Sequence, residues 1–190
     1  MRAPDNKKRA TRLGVFIAAA LIALPAASAG AGGGGISTGG GGGTVPGDKA
    51  KLKRNGKAVA PANAPARVKR AIDAANKIDD KRYCLGGGHG SWSSRCYDCS
   101  GAVSYALGRP GARVVKSPMP SGSYMNWGKR GKGKWITTYA NSGHMFVVIA
   151  GLRFDTSMPD DGESGPGWSK SVRTGFRNVS KTAARHPARF

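Results

Sequence analysis

A glycine tract constrains this 190-residue chain more than any other feature. Residues 30–47 read GAGGGGISTGGGGGTVPG, with eleven glycines. Glycine has no side chain to bury and loses the most backbone entropy on ordering, so the tract is expected to be a flexible tether. The glycines follow no G-X-Y period, which excludes collagen. A folded domain is therefore expected on the C-terminal side of the tract.

The segment before the tract has its own pattern. Lys7, Lys8, Arg9 and Arg12 precede an apolar run, Leu13 to Pro25. The run is as long as a signal-peptide core and too short to span a bilayer. Ala27-Ser28-Ala29 then supplies small residues for a signal peptidase. Residues 1–29 are expected to be a signal peptide cleaved after Ala29; a retained signal-anchor is the competing reading. The rest of the chain has no apolar run of 18 residues, so no membrane span is expected after cleavage. The exported protein is expected to be extracellular or wall-associated, where disulfides form and genomic DNA is absent.

Charge points the same way. Lys and Arg number 31 against 10 Asp and Glu, a formal net charge of +21. The signal peptide removes five basic residues and one acid, leaving +17. The basic residues gather in Lys49–Lys57, Lys129–Lys134 and the C-terminal tail. Such an excess favours an anionic partner. Charge alone does not choose among nucleic acid, a lipid surface and an anionic wall polymer, and export argues against genomic DNA. Residues 48–61 are polar and basic, so the flexible linker is expected to run over 30–64, with one ordered domain over 65–190. A monomer is expected.

Hydrophobic residues make up 39% of the chain, enough for one modest core. Pro65 suits a helix start, and Val68, Ile72, Ala75 and Ile78 share one helical face. Ser100 to Leu107 reads as a second helix, stopped by Gly108 and Pro110. Trp135 to Tyr139, Met145 to Ala150 and Leu152 to Thr156 read as strands. Ser117 to Lys134 reads as loop, with a mobile basic stretch over Lys129–Lys134. Helices followed by strands give an α+β domain with N-terminal helices packed on an antiparallel sheet.

The chemistry centres on three cysteines, Cys84, Cys96 and Cys99. An odd number in an exported protein suggests one pair and one free thiol. Cys99 is the best free thiol, because it opens a helix whose N-terminus favours thiolate and whose N–H groups can hold an oxyanion. A thiolate nucleophile needs a base, and His144 stands at the start of a buried strand. Asp155 lies on the next strand and can orient the imidazole. A strict two-residue turn at Ala150-Gly151 pairs 144 with 157, so Ser157 is the substitute.

These residues, in order, carry a resemblance. Tyr83-x-x-Gly-Gly, Asp98-Cys99-Ser100-Gly101, Gly143-His144-x-Phe and Phe154-Asp155-Thr156-Ser157 are similar to the motifs of the NlpC-type bacterial cell-wall cysteine peptidases. The resemblance covers about residues 66–190. It implies a papain-like α+β fold and cleavage of amide bonds in peptidoglycan stem peptides, commonly between D-glutamate and diaminopimelate. Cys99 is then the nucleophile, His144 the base and Asp155 the third residue, where the family usually has His, Asn or Gln. Tyr83, Asp98 and Ser100 fall where relatives recognise substrate. His89, absent from the simplest family pattern, sits in a Gly loop beside the expected cleft. Cys84 and Cys96 are expected to pair as a disulfide closing the loop before the nucleophile. No cofactor or metal is implied.

Other readings compete. Cys96-x-x-Cys99 is also a CxxC, and a bond within it would silence the nucleophile. With Cys84 and His89 it could hold zinc. The scaffold could also be an inactive wall-binding module, or an amidase or acyltransferase. His186 is expected at the surface or core edge, and Trp127, Trp135 and Trp168 in packing.

Overall fold

Helix α1 (Ala66–Ala75) begins just after Pro65 and buries Val68, Ala71, Ile72, Ala74 and Ala75. The expected face is the buried one, and Ile78 is buried just beyond the helix. Helix α2 (Cys99–Leu107) packs on it and buries Val103, Ala106 and Leu107. These side chains share one cluster with Met145, Val147, Ile149, Phe154 and Trp168. Full burial of each large aliphatic contributes about 1.5–3 kcal/mol. This is one core, formed between two helices and a sheet.

The computed structural model describes residues 43–157, 164–173 and 182–189. The expected signal peptide and the glycines of residues 30–42 lie outside them. The described strands are β1 (Lys51–Leu52), β2 (Ala58–Val59), β3 (Arg82–Tyr83), β4 (Cys96–Tyr97), β5 (Lys129–Arg130), β6 (Ile136–Ala140), β7 (Met145–Ile149), β8 (Leu152–Asp155), β9 (Gly167–Ser169) and β10 (Ala183–His186). A short helix, α3 (Ser121–Tyr124), precedes β5. The main sheet has six strands in the order β5-β10-β6-β7-β8-β9, and every neighbouring pair is antiparallel. The α+β class with an antiparallel sheet is therefore present. No described helix is long and apolar enough to cross a membrane.

Two expectations are corrected. Residues 43–64 of the expected linker are folded, so order begins well before Pro65. β1 and β2 form a hairpin in which Lys51 pairs with Val59 and Leu52 with Ala58. Ala58, Ala60 and Ala64 are buried. Ala50 N–H donates to Ala150 O at 2.8 Å, tying the hairpin to the β7–β8 turn. Alanine buries too little surface to stand out in a basic sequence, yet it lets backbones approach closely. The second correction is the basic stretch Lys129–Lys134. Its first two residues form β5, whose partner β10 comes from the C-terminal tail.

Asn76, just past α1, joins three parts of this fold. Its Oδ1 accepts from Ala58 N–H at 2.9 Å and from the buried Trp168 Nε1–H at 2.9 Å. Its Nδ2 donates to Ala58 O at 2.8 Å, and its carbonyl accepts from Lys57 Nζ at 3.0 Å. Lys57 also pairs with Asp79. Buried polar groups left without partners cost about 1–3 kcal/mol each. Asn76→Ala is expected to destabilise the protein by about 2–4 kcal/mol in urea unfolding, with signal and tether present or absent. A loss below about 0.5 kcal/mol would remove Asn76 from this role.

Candidate active site

The first turn of α2 is fixed by its cap and by a closely packed glycine loop. Asp98 is its N-cap, and Gly101 N–H donates to Asp98 Oδ1 at 2.7 Å. Asp98 Oδ2 accepts from Gly86 N–H at 3.1 Å, which draws the glycine loop onto the helix. A Cβ on Gly101 would stand 2.0 Å from Gly87 O, so only glycine permits this approach. Cys84 and Cys96 form a disulfide that closes the loop. Cys99 is the free cysteine and is half-buried at the first helical position. The bond removes Cys84 and Cys96 as thiolate donors, which contradicts the zinc reading and the Cys96–Cys99 bond.

Helix geometry leaves the N–H groups of Cys99 and Ser100 without intrahelical partners. They are available to an oxygen that gains negative charge. Position and chemistry thus combine a thiol, a positive helix end and two donors.

His144 is presented by a loop that Asn141 organises. Gly143 N–H and His144 N–H donate to Asn141 Oδ1 at 2.9 and 2.8 Å, and Asn141 N–H donates to His144 O at 3.0 Å. After β7, Ala150 and Gly151 turn the chain with positive φ of 48° and 90°. This left-handed pair makes a two-residue hairpin turn. The register pairs Ile149 with Leu152 and Val147 with Phe154. Continued, it sets His144 opposite Ser157, with Asp155 one diagonal step away.

The structure brings both alternatives to the imidazole. His144 Nε2 lies 3.0 Å from Asp155 Oδ1 and 3.3 Å from Ser157 Oγ. Ser157 O–H donates to Asp155 Oδ2 at 2.9 Å, so its oxygen can accept from Nε2–H. The other ring nitrogen, Nδ1, is then the one left for Cys99, which is hydrogen-bonded to His144. Sequence reasoning offered Asp155 and Ser157 as substitutes; here they act together.

Asp155 is fully buried as a side chain, and it is not isolated. Thr156 N–H donates to its Oδ1 at 2.6 Å, and Ser157 N–H does so at 3.3 Å. Arg153, two residues earlier and equally buried, pairs with Oδ2. The Arg153 guanidinium lies 4.0 Å from the Phe146 ring centroid and donates to Arg173 O. Burial works against the Asp155 carboxylate, but His144 and Arg153 outweigh it and hold its pKa below the ordinary value. Burial likewise opposes charge on His144, but hydrogen bonds and negative charge from Asp155 and Cys99 prevail and raise it to about 9. The arrangement favours the charged, imidazolium form of His144. Arg153 and Asn141 were not singled out from the sequence; an arginine two residues before an acid on a strand and an Asn-x-Gly-His turn were the available signals.

The other predicted residues lie nearby but form a separate group. His89 Nε2 is 3.1 Å from both Asp98 Oδ1 and Ser100 Oγ, and Ser100 O–H donates to Asp98 Oδ1 at 3.1 Å. Asp98 therefore serves as a helix cap and an anchor for His89. Tyr83 is partly exposed on β3, which pairs in parallel with β4. Its phenol pKa is raised by burial first, then by the charges of Cys99 and Asp98. His186 is half-buried, with Nδ1 3.1 Å from Gly131 O, and does not join the site.

Two outcomes test this geometry. In NMR titration the His144 ring is expected to hold its proton to about pH 9. Because the folded pKa is raised, this contribution to stability is complete below about pH 6.5 and is lost as pH rises through about 9. Asp155→Asn is expected to lower that midpoint; an unchanged midpoint would break the assigned coupling. Arg153→Met leaves the buried Asp155 with His144 as its remaining cation and is expected to cost about 3–5 kcal/mol in unfolding.

No protein-family model matches the chain. No curated protein matches it. Among solved structures it is similar to the hypothetical invasion protein Rv1477 of Mycobacterium tuberculosis, at 20% identity and a TM-score of 0.45. The match covers 65% of this chain and 65% of that chain, so it spans less than two thirds of the other chain's length.

Proposed function

We propose that this chain is an exported cysteine peptidase of NlpC type that cuts amide bonds in peptidoglycan stem peptides. The observation that carries the reading is the thiol of Cys99 at a helix N-terminus, hydrogen-bonded to His144, whose Nε2 is held by Asp155. A thiol at a helix start beside a histidine in the loop that leads into a strand fits a papain-like scaffold. The Asp-Cys-Ser-Gly and Gly-His motifs support the substrate class, with the D-glutamyl–diaminopimelate bond as the expected target. The Cys84–Cys96 disulfide supports an oxidising compartment, and the basic surface supports residence at an anionic wall.

In this reading the Cys99 thiolate attacks the amide carbon, and the carbonyl oxygen takes the negative charge beside the Cys99 N–H. The His144 imidazolium gives its proton to the leaving amine as the C–N bond breaks. A thioester to Cys99 remains. Neutral His144 then takes a proton from water, and the hydroxide adds to the thioester. Collapse releases a carboxylic acid and returns the thiolate–imidazolium pair. Asp155 keeps Nε2 protonated throughout, so Nδ1 is the nitrogen that exchanges protons. Tyr83, His89, Asp98 and Ser100 are assigned to substrate recognition, with the buried Asp98 and Ser100 acting through His89.

Digestion of purified peptidoglycan followed by muropeptide mass analysis tests the proposal. The wild type is expected to release new amino groups from stem peptides. Cys99→Ala is expected to lose about 10³-fold or more of that rate. Equal release by the variant would overturn the assignment, and so would saturable wall binding by the wild type without any cleavage.

A further inference from the structure

A second concavity lies away from Cys99. A pocket of about 360 Å³ is lined by Arg67, Arg113, Val114, Trp127, Pro187 and Arg189, among others. This is within the range of about 300–1,000 Å³ typical of small-molecule sites. Arg67 stands in the first turn of α1, Arg113 follows the C-terminal end of α2, and Arg189 follows β10. Cys99 occupies the opposite end of α2, about 13 Å away along a nine-residue helix. None of the residues lining the pocket belongs to the thiol site.

The charge in this pocket is one-sided. Three arginines, all exposed, line it, and no Asp or Glu does. Among the described residues, none of the three arginines has an ion pair; the recorded pairs involve Lys57, His89, His144 and Arg153. Solvent screens these exposed charges while the pocket is empty, and their gathering around one concavity suits an anion that enters it. Arg113 is also held in place. Its N–H donates to Gly108 O at 2.8 Å, and the next residue donates to Leu107 O at 2.8 Å. Its φ of 58° is rare for a residue with a side chain.

The lining also selects within anions. A carboxylate fills one guanidinium fork, whereas a phosphate monoester brings up to two charges and three acceptor oxygens. Three forks in one small pocket suit the phosphate. Trp127 supplies the large apolar surface, braced edge-on by Tyr124 with ring centroids 5.6 Å apart. An indole beside arginine forks accommodates the apolar face of a sugar ring while its phosphate meets the guanidiniums. We infer that this pocket binds a phosphate-bearing sugar through Arg67, Arg113, Arg189 and Trp127.

Calorimetric titration of the exported full chain tests the site without reference to catalysis. The probes are glucose 6-phosphate, inorganic phosphate, glucuronate and glucose. Glucose 6-phosphate is expected to bind at least about tenfold more tightly than each of the others, at one site per chain. The double variant Arg67→Ala/Arg113→Ala alters two exposed side chains and is expected to weaken it about tenfold or more. Trp127→Leu is expected to erase the advantage over inorganic phosphate. The methyl phosphodiester of glucose separates two sources of the ligand. Retained affinity marks a unit within a phosphate-linked glycan, and lost affinity marks a free sugar phosphate. Equal binding of all four probes, tighter binding of glucuronate, or wild-type affinity in the folded double variant would each overturn the proposal.

Discussion

A buried carboxylate governs the arrangement of the site. Asp155 has no access to water, and a lone charge there would carry a penalty of several kcal/mol. Its neighbours are disposed around that demand. Arg153 supplies a full positive charge, two backbone N–H groups supply dipoles, and His144 supplies a second cation. Each of these contacts restrains the part of the chain it comes from. Arg153 ties β8 to the carbonyl of Arg173 and is stacked on Phe146 of β7. His144 cannot swing without giving up Nε2. The orientation of the imidazole is thus secured by electrostatics in a region of low dielectric, where pairing is strong because solvent does not compete.

Cys99 is positioned by a different means. Its site depends on the absence of side chains at Gly87 and Gly101, on the Asp98 cap, and on a covalent link from Cys84 to Cys96. Asp98 uses both carboxylate oxygens inside the fold, one on the helix and one on the glycine loop. The loop, the cap and His89 therefore behave as one rigid rim around the helix start. The thiol and the imidazole come from separate constructions, one covalent and steric, one electrostatic, that meet where Cys99 faces His144.

The parts of this design visible in sequence are the local ones. Pro65 and the Val68–Ile72–Ala75 face mark α1, the Asp98–Gly101 pattern marks the start of α2, and the apolar β-branched run marks β7. The turn at Ala150-Gly151 was enough to narrow the third polar group to Asp155 and Ser157. The hidden parts rest on long-range pairing or on small residues. Ala58, Ala60 and Ala64 dock a hairpin with little hydrophobic signal. Asn76 bonds Trp168, 92 residues away, and nothing local to either residue announces it. Arg153 looks like one more basic residue in a basic chain until the sheet places it beside Asp155. β10 has no apolar alternation strong enough to distinguish it from a charged tail.

That last strand has a consequence for how the molecule acquires its shape. β10 lies between β5 and β6, and its pairing joins Ala140 to Ala183. The segment that completes the sheet on this side comes late in sequence, so its contacts close long loops and reward the chain only after much entropy has been lost. By contrast β6, β7 and β8 are consecutive and joined by short connections. The meander bearing His144 and Asp155 is expected to form early, against α1 and α2. The edge made by β5 and β10, with Arg189 beyond it, joins afterwards. Maturation of the thiol site and of the arginine pocket would then be separable in time, with the Cys99–His144 pair taking shape before the basic pocket does.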